Sequence, residues 1–228
     1  MSVTKFFFAV YPYICLTVFI VASWIRYDHE QYTWKTDSSM LLSKSNMVLA
    51  SNAFHVGILA IFGGHFAGLV LPHGLWLALG IGDLAHQWVA IYAGAVFGGL
   101  CLIGGAMLWL RRMFHPRIRA SGRKNDAFVL SWLMFTLLLG LSTLPVSIGH
   151  ARHGDPAVMM ALAEWVKSVL TLNPQPELLD VVDPIFRAHI FFGMTVFLIF
   201  PFTRLVHILT APLSYLGRAY QIVRTKRA

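Results

Sequence analysis

Long apolar stretches recur along the chain, separated by short polar segments. Five of them reach the roughly 20 residues that a helix needs to cross the hydrocarbon core of a bilayer. These stretches cover about residues 3–25, 47–71, 88–110, 126–148 and 184–210. The pattern predicts an all-α integral membrane bundle of five helices, which we number helix 1 to helix 5 in chain order.

Composition supports a membrane protein and adds no second domain. The 228 residues are 57% hydrophobic and 12% charged, and that charged fraction is about half of what a soluble domain carries. The first stretch has a single basic residue before it and no small-residue cleavage site after it, so we expect a retained helix rather than a signal peptide. We expect one transmembrane domain with a polar tail at residues 211–228.

Basic residues are distributed unevenly between the two sides of the predicted bundle. Thirteen lysines and arginines follow helices 1, 3 and 5, whereas three lie on the opposite side. The positive-inside rule then places the N-terminus on the outer side of the membrane and the C-terminus on the inner side. This orientation accounts for most of the net charge of +8, so no nucleic-acid partner is expected.

Four histidines lie inside two of the apolar stretches. His55 and His65 are in helix 2, and His189 and His207 are in helix 5. Lipid offers no water to an imidazole, so an unpartnered ring there is costly. A single such histidine would more often be a hydrogen-bonded core residue or a proton relay. Two pairs on two helices favour two haems, each held by a neutral histidine nitrogen on either side of its iron.

Topology suggests how these histidines pair. Helices 2 and 5 run in opposite directions, which brings His65 to His189 near the outer surface and His55 to His207 near the inner one. The separation is ten residues on helix 2 and eighteen on helix 5, or about 15 Å and about 27 Å along the axes. Straight parallel helices would not make both pairs level, and a bend at Pro201 is expected to absorb part of the difference.

Glycines accompany the histidines. A flat porphyrin between helices needs backbones without bulk, and glycines lie one to four residues from three of the four histidines: Gly57, Gly63, Gly64 and Gly193. The alternative is close helix packing through small residues. That alternative applies most to helix 3, which carries Gly94, Gly98, Gly99, Gly104 and Gly105.

Short motifs spread over nearly the whole chain resemble one family. They include Tyr11-Pro12-Tyr13, Arg26-Tyr27-Asp28, Phe54-His55, Gly64-His65-Phe66, Leu100-Cys101-Leu102, Arg111-Arg112, Ile185-Phe186-Arg187, Pro201-Phe202 and His207-Ile208. Together they resemble the gamma subunit of respiratory nitrate reductase, a membrane cytochrome b. The resemblance implies two b haems, the outer one on His65 and His189 and the inner one on His55 and His207.

The resemblance also implies a location, a function and partners. The location would be a bacterial inner membrane, with the N-terminus in the periplasm and the C-terminus in the cytoplasm. Quinol, either menaquinol or ubiquinol, would be oxidised near the outer haem. The electrons would reach an iron–sulfur beta subunit and a molybdenum alpha subunit on the cytoplasmic face, where nitrate becomes nitrite. Arg111, Arg112 and Arg204 fall near the inner haem and are candidates to pair with its propionates. Plain positive-inside charge is their alternative interpretation.

The quinol site is predicted at His86, with Gly64 and His65 beside it. The resembling family has a lysine at this position, at the start of helix 3, so His86 is a departure from its pattern. Histidine can hydrogen-bond a quinol oxygen and accept a proton. The alternative is a solvated loop histidine, which is also what we expect of five others: His29, His73, His115, His150 and His153.

Other functions remain open on the residues alone. The same helices could belong to the cytochrome b subunit of a formate dehydrogenase or a hydrogenase. A haem-free transporter or proton relay and a structural anchor are further possibilities. The two cysteines, Cys15 and Cys101, sit in apolar helices and are expected to be buried free thiols.

Overall fold

Five long helices dominate the protein. The computed structural model describes residues 3–30, 46–121 and 124–209, and the predicted tail at 211–228 lies outside the described residues. All regular structure in the described residues is helical, as predicted. The helices long and apolar enough to cross a membrane are Phe6–His29, Met47–Val70, Asp83–Phe114, Asn125–Arg152 and Pro184–Phe202.

The helices pack in an order that leaves one pair apart. Helix 2 lies along helix 3, helix 3 packs against helix 4, and helix 5 packs against helices 1 and 4. Helices 2 and 5 make no comparable contact with each other in the described part of the chain. The space between these two helices is where the sequence places the four histidines.

Arginines gather at one end of the bundle, which we call the basic end. Helices 1, 3 and 5 finish there and helix 4 begins there, with Arg26, Arg111, Arg112 and Arg204. A core cluster around Val129, Val196 and Phe200 closes this end. A second cluster around Phe8, Trp165 and Phe186 closes the opposite end.

Helix 5 is shorter than predicted. Its α-helix ends at Ile199, followed by the 3₁₀ turns Phe200–Phe202 and Arg204–Ile208. Pro201 has no N–H and cannot continue the α-helical ladder. Between the two turns Thr203 is extended, with φ −122° and ψ 178°. The prediction of one helix over 184–210 is therefore wrong beyond Ile199, and His207 lies on a separate turn.

Side chains from two other helices hold the turns after helix 5. Arg26 donates hydrogen bonds to the carbonyls of Pro201 and Thr203, the second at 3.0 Å. Asn125 donates to the carbonyl of Phe202 at 2.6 Å. These carbonyls have no hydrogen-bond donor within a regular helix. The end of helix 1 and the start of helix 4 supply the donors instead.

A proline also interrupts helix 1. Pro12 cannot donate to the carbonyl of Phe8, and the turn Phe6–Val10 is a π-helix. The indole N–H of Trp165 donates to that carbonyl instead, at 3.0 Å. Trp165 belongs to the helix Ala157–Leu170, which lies between helices 4 and 5, outside the five predicted membrane stretches. This helix packs on the π-helical turn Phe66–Val70 at the end of helix 2.

Helices 3 and 4 are longer than predicted. Helix 3 begins at Asp83 rather than near residue 88, and helix 4 reaches Arg152 with an interruption at Thr143 before Pro145. His86 therefore lies in the first turns of helix 3, not in a loop. His86 is only 7% exposed, so the alternative interpretation of His86 as a solvated loop histidine is wrong.

Two glycines let helices 2 and 3 approach closely. A Cβ on Gly104 would overlap the backbone nitrogen of Phe54 and lie 2.7 Å from the carbonyl oxygen of Ala50. A Cβ on Gly57 would lie 2.6 Å from the backbone nitrogen of Cys101. Backbone atoms cannot move aside as a side chain can. For these two glycines, packing is therefore the correct interpretation.

We expect Gly104→Ala to destabilise the protein by about 1–3 kcal/mol, because the added methyl group pushes two backbones apart. The measurement is the Tm of the detergent-solubilised protein. Gly99→Ala in the same helix is the matched control, since a Cβ there meets nothing within 4 Å. Equal Tm values for the two variants would contradict the close contact.

Candidate functional site

The four membrane histidines form two facing pairs. The ring centroids of His65 and His189 are 6.0 Å apart, and those of His55 and His207 are 6.3 Å apart. This is the spatial pairing that antiparallel helices 2 and 5 predict. The break after Ile199 explains how both pairs can form despite the unequal spacings along the chain.

Each of the four rings makes the same type of hydrogen bond. Its Nδ1 contacts a backbone carbonyl oxygen, and the partners are Ser51 for His55 (2.7 Å), Ile61 for His65 (2.8 Å), Thr136 for His189 (3.1 Å) and Arg204 for His207 (2.6 Å). A carbonyl oxygen can only accept, so each Nδ1 must carry the hydrogen. Each Nε2 then keeps its lone pair, which is the form of histidine that binds a metal.

The distance within each pair fits one metal between two rings. A metal–imidazole bond is about 2.0 Å long and the ring nitrogen lies about 1 Å from the ring centre, so two rings flanking one metal have centroids about 6 Å apart. No group of three or more His, Cys, Asp or Glu side chains that could hold a bare ion occurs among the described residues. Two protein ligands per site suit a metal whose other ligands come from a macrocycle such as haem.

The rings on helix 2 support the same conclusion. His55 and His65 are exposed, whereas His189 and His207 are partly buried. An imidazole exposed in the middle of a membrane-spanning helix needs a polar or coordinating partner, because lipid supplies none. Beside the outer pair, a Cβ on Gly63, Gly64 or Gly193 would meet nothing within 4 Å. These glycines border open space that can take a flat ring.

His189 is held from the other side by helix 4. A Cβ on Gly140 would lie 2.8 Å from Cε1 of its ring and 3.3 Å from both ring nitrogens. Only glycine at residue 140 therefore leaves room for the imidazole while the carbonyl of Thr136 accepts its hydrogen bond. Helix 4 thus sets the position of His189 through one absent side chain and one carbonyl group.

The inner pair opens onto a cavity at the basic end. Its volume is about 270 Å³, and its lining includes both rings of the pair, His55 and His207. The charged side chains in the lining are Arg111, Arg112, Arg204 and Asp126. The three arginines predicted near the inner haem therefore do come together at one site, and an aspartate joins them.

His86 lies near the outer pair and is covered by an aromatic ring. Trp76, from the short helix His73–Ala78, stacks on it with ring centroids 4.2 Å apart and an angle of 22°. A Cβ on Gly68 would lie 3.7 Å from Nε2 of His86. Gly68 is three residues after His65, or about 4.5 Å along the helix axis, so His86 sits about one turn from the outer pair.

Two polar features surround His86. The indole N–H of Trp76 is buried and has no hydrogen-bond partner among the described residues. Asp83, one turn before His86 on helix 3, lies 3.5 Å from Nε2 of His73, and both side chains are partly exposed. A buried imidazole, an unused donor and a histidine–aspartate contact form a polar pocket in an otherwise apolar region.

Comparison with known proteins gives a consistent family. A family model described as nitrate reductase gamma subunit matches residues 4–226. The chain is 48% identical to respiratory nitrate reductase 1 gamma chain of Escherichia coli, over 97% of each chain. It is 35% identical to nitrate reductase gamma chain of Bacillus subtilis, over 94% of this chain and 95% of that one. The chain belongs to the nitrate reductase gamma subunit family.

A more distant likeness covers half of the chain. Over 114 residues, or 48% of its length, this gamma subunit is 32% identical to a protein of Archaeoglobus fulgidus named Hdr-like menaquinol oxidoreductase cytochrome b-like subunit. Membership of this family makes the nitrate reductase gamma subunit a better description of the chain than the cytochrome b subunit of a formate dehydrogenase or a hydrogenase. It confirms the resemblance on which the expected ligands and partners rest.

Three residues of the gamma subunit site were missed by sequence reasoning: Gly140, Trp76 and Asp126. Gly140 is a single glycine in an apolar stretch, and its role is evident only from the contact with His189 in the structure. Trp76 lies in the segment between helices 2 and 3, and only its stacking on His86 marks it as part of the site. Asp126 did carry a signal, since it is an acidic residue at the very start of a membrane helix on the basic side.

Proposed function

We propose that this gamma subunit is the membrane cytochrome b of a respiratory nitrate reductase. It oxidises quinol near the periplasmic side and delivers the electrons to an iron–sulfur beta subunit and a molybdenum alpha subunit on the cytoplasmic face, where nitrate is reduced to nitrite. The observation that carries the proposal is the shared geometry of the four histidines: two pairs at 6.0 Å and 6.3 Å, each ring with Nδ1 tied to a carbonyl.

The residues that would hold the cofactors follow from this geometry. His65 and His189 would bind the outer b haem, and His55 and His207 the inner one. Haems bound by these two pairs would supply one-electron carriers at two depths of the membrane. The carbonyl bonds fix each ring in one orientation and make it a better electron donor to the metal.

We expect each ligand substitution to remove one haem and leave the other. His65→Ala and His189→Ala should lose the same haem, and His55→Ala and His207→Ala the other, because the rings of each pair lie about 6 Å apart. The measurement is haem content and the reduced b-type spectrum of purified complex. Loss of the same haem in His65→Ala and His207→Ala would contradict the pairing.

Gly140→Ala extends this test without touching a ligand. The added methyl group displaces the ring of His189, so the variant should lose the same haem as His189→Ala. Gly149→Ala in the same helix is the control, because a Cβ there meets nothing within 4 Å.

The spectrum of the unaltered complex tests the haem proposal itself. If that complex showed no b-type spectrum, the proposal would be refuted and a haem-free proton relay would be favoured.

The quinol site is proposed at His86, with Gly64 and His65 on the adjacent turns of helix 2. The ring of His86 would accept the proton of a quinol hydroxyl group at one nitrogen, and Trp76 would hold that ring in place by stacking. The buried indole N–H of Trp76 is a donor available to a second quinol oxygen. Asp83 lies one turn before His86 on helix 3 and contacts His73, and both side chains are partly exposed, so they would offer the released proton an exit.

We expect His86→Ala to slow quinol-driven haem reduction by about 10²-fold or more, since a positioned proton acceptor contributes about 10²–10⁴-fold. The haem spectrum should be unchanged, and nitrate reduction from an artificial dye should continue. His153→Ala is the control, because its exposed ring bonds only the carbonyl of Gly149. If His86→Ala oxidised quinol at the wild-type rate, the assignment of His86 would be wrong and the quinol site would have to use other groups.

The orientation of the bundle supports the direction of transfer. Thirteen of the eighteen basic residues follow helices 1, 3 and 5, so the basic end is proposed to face the cytoplasm. Electrons would then enter on the side of His65 and leave on the side of His207, next to the beta and alpha subunits. Protons released outside while charge moves inward would conserve energy, at about 2.3 kcal/mol per charge against 100 mV.

A reporter enzyme fused after Ala228 tests this orientation. A reporter that works only in the cytoplasm should be active, and one that works only in the periplasm should be inactive. The opposite result would reverse the proposed direction of electron flow while leaving the histidine pairs intact.

A further inference from the structure

Asp126 occupies an unusual position at the basic end. Among the described residues, it is the one acidic side chain in the lining of the cavity that contains His55 and His207. Its Oδ2 lies 2.8 Å from Nη1 of Arg112 and 3.7 Å from Nη1 of Arg204. The side chain of Asp126 is 14% exposed and that of Arg112 15%, so this is a largely buried contact rather than a surface ion pair.

The carboxylate connects three separate segments of the chain. Asp126 lies in the first turn of helix 4, Arg112 in the last turn of helix 3, and Arg204 on the turn after helix 5. The carbonyl of Arg204 accepts the hydrogen bond from Nδ1 of His207 at 2.6 Å. The position of Asp126 is therefore linked through Arg204 to the orientation of one ring of the inner pair.

The net charge of the cavity lining matches the charge of a haem. Three arginines and one aspartate give the lining two net positive charges, with the histidines neutral. A haem carries two propionate carboxylates, so a lining of this charge would be neutralised by one haem. Without Asp126 the three guanidinium groups would repel one another and extend toward solvent.

We propose that Asp126 is a positioning residue for the inner haem. It holds the guanidinium groups of Arg112 and Arg204 at the cavity, where they receive the propionates, and it lowers the reduction potential of that haem through its own negative charge. The inference rests on the proposed function, because it assumes a haem between His55 and His207. It adds a role for a residue that touches neither the iron nor the quinol.

The test uses the intact complex and measures potentials rather than turnover. Asp126→Asn keeps the shape of the side chain and removes its charge. An optical redox titration of the membranes should show an upward shift in the potential of the inner haem, because a nearby negative charge no longer favours the oxidised iron. The outer haem, on His65 and His189, should keep its wild-type potential and serves as an internal reference.

Two further variants separate charge from structure. Asp126→Glu keeps the carboxylate and should restore a potential close to that of the wild type. Asp28→Asn removes an exposed acidic residue near the end of helix 1, at the same end of the bundle but outside the cavity lining, and should leave both potentials unchanged. Loss of the inner haem alone in Asp126→Asn, with recovery in Asp126→Glu, would also support the positioning role.

Other outcomes overturn the proposal. An inner haem with wild-type potential in Asp126→Asn would show that the carboxylate neither tunes nor organises the site. An equal shift in Asp126→Glu, or in Asp28→Asn, would show that the charge of Asp126 is not the cause. If the unaltered complex bound no haem, the proposed function would fail instead, and the two failures are thereby distinguishable.

Discussion

The structure depends on an imidazole's need for a partner inside a membrane. Helices 2 and 5 do not pack against each other along their length, yet the two histidines of helix 2 face His189 on helix 5 and His207 on the turn that follows it. Every one of these rings has its Nδ1 bonded to a carbonyl, so only Nε2 is left to find a partner. The gap, the pairing and the tautomer have a common explanation if one metal lies between the rings of each pair.

Breaks in the helices make that arrangement possible. An unbroken helix 5 would place His207 about 27 Å from His189, farther than helix 2 can match with His55 and His65. Pro201 ends the helix before that distance is reached, and the extended residue Thr203 redirects the chain. Arg26 and Asn125 donate to the carbonyls of residues 201–203, which the end of the helix leaves without helical partners, so the break costs little in unpaired carbonyl groups.

The sequence predicted the features that follow from hydrophobic length and from topology. Five helices and the spatial pairing of the histidines needed only stretches of apolar residues and the rule that successive helices alternate in direction. It did not predict the end of helix 5 at Ile199, because a proline in a membrane helix can either bend it or stop it. Tertiary contacts, here from Arg26 and Asn125, decided the outcome.

The amphipathic helix Ala157–Leu170 and the burial of His86 were missed for a related reason. The helix and His86 both lie at the edges of the apolar stretches. The hydropathy pattern weakens there, although side chains still pack against one another. The helix is held by Trp165, whose indole bonds the carbonyl left open by Pro12, and such a contact between distant segments leaves no local trace in the sequence. Positions of this kind become visible only when the helices are assembled.

The family resemblance led us to expect a lysine at the position of His86, and the contacts of His86 show how the two side chains would differ there. A lysine carries its charge on a long flexible stem and can move toward a ligand or toward water. An imidazole that is 7% exposed and stacked on Trp76 has no such freedom, so its nitrogen stays where packing places it. A quinol bound at the proposed site would therefore meet a base whose position is fixed by packing. The pocket formed by Trp76, Gly68 and helix 3 would then limit which quinol head groups could reach it.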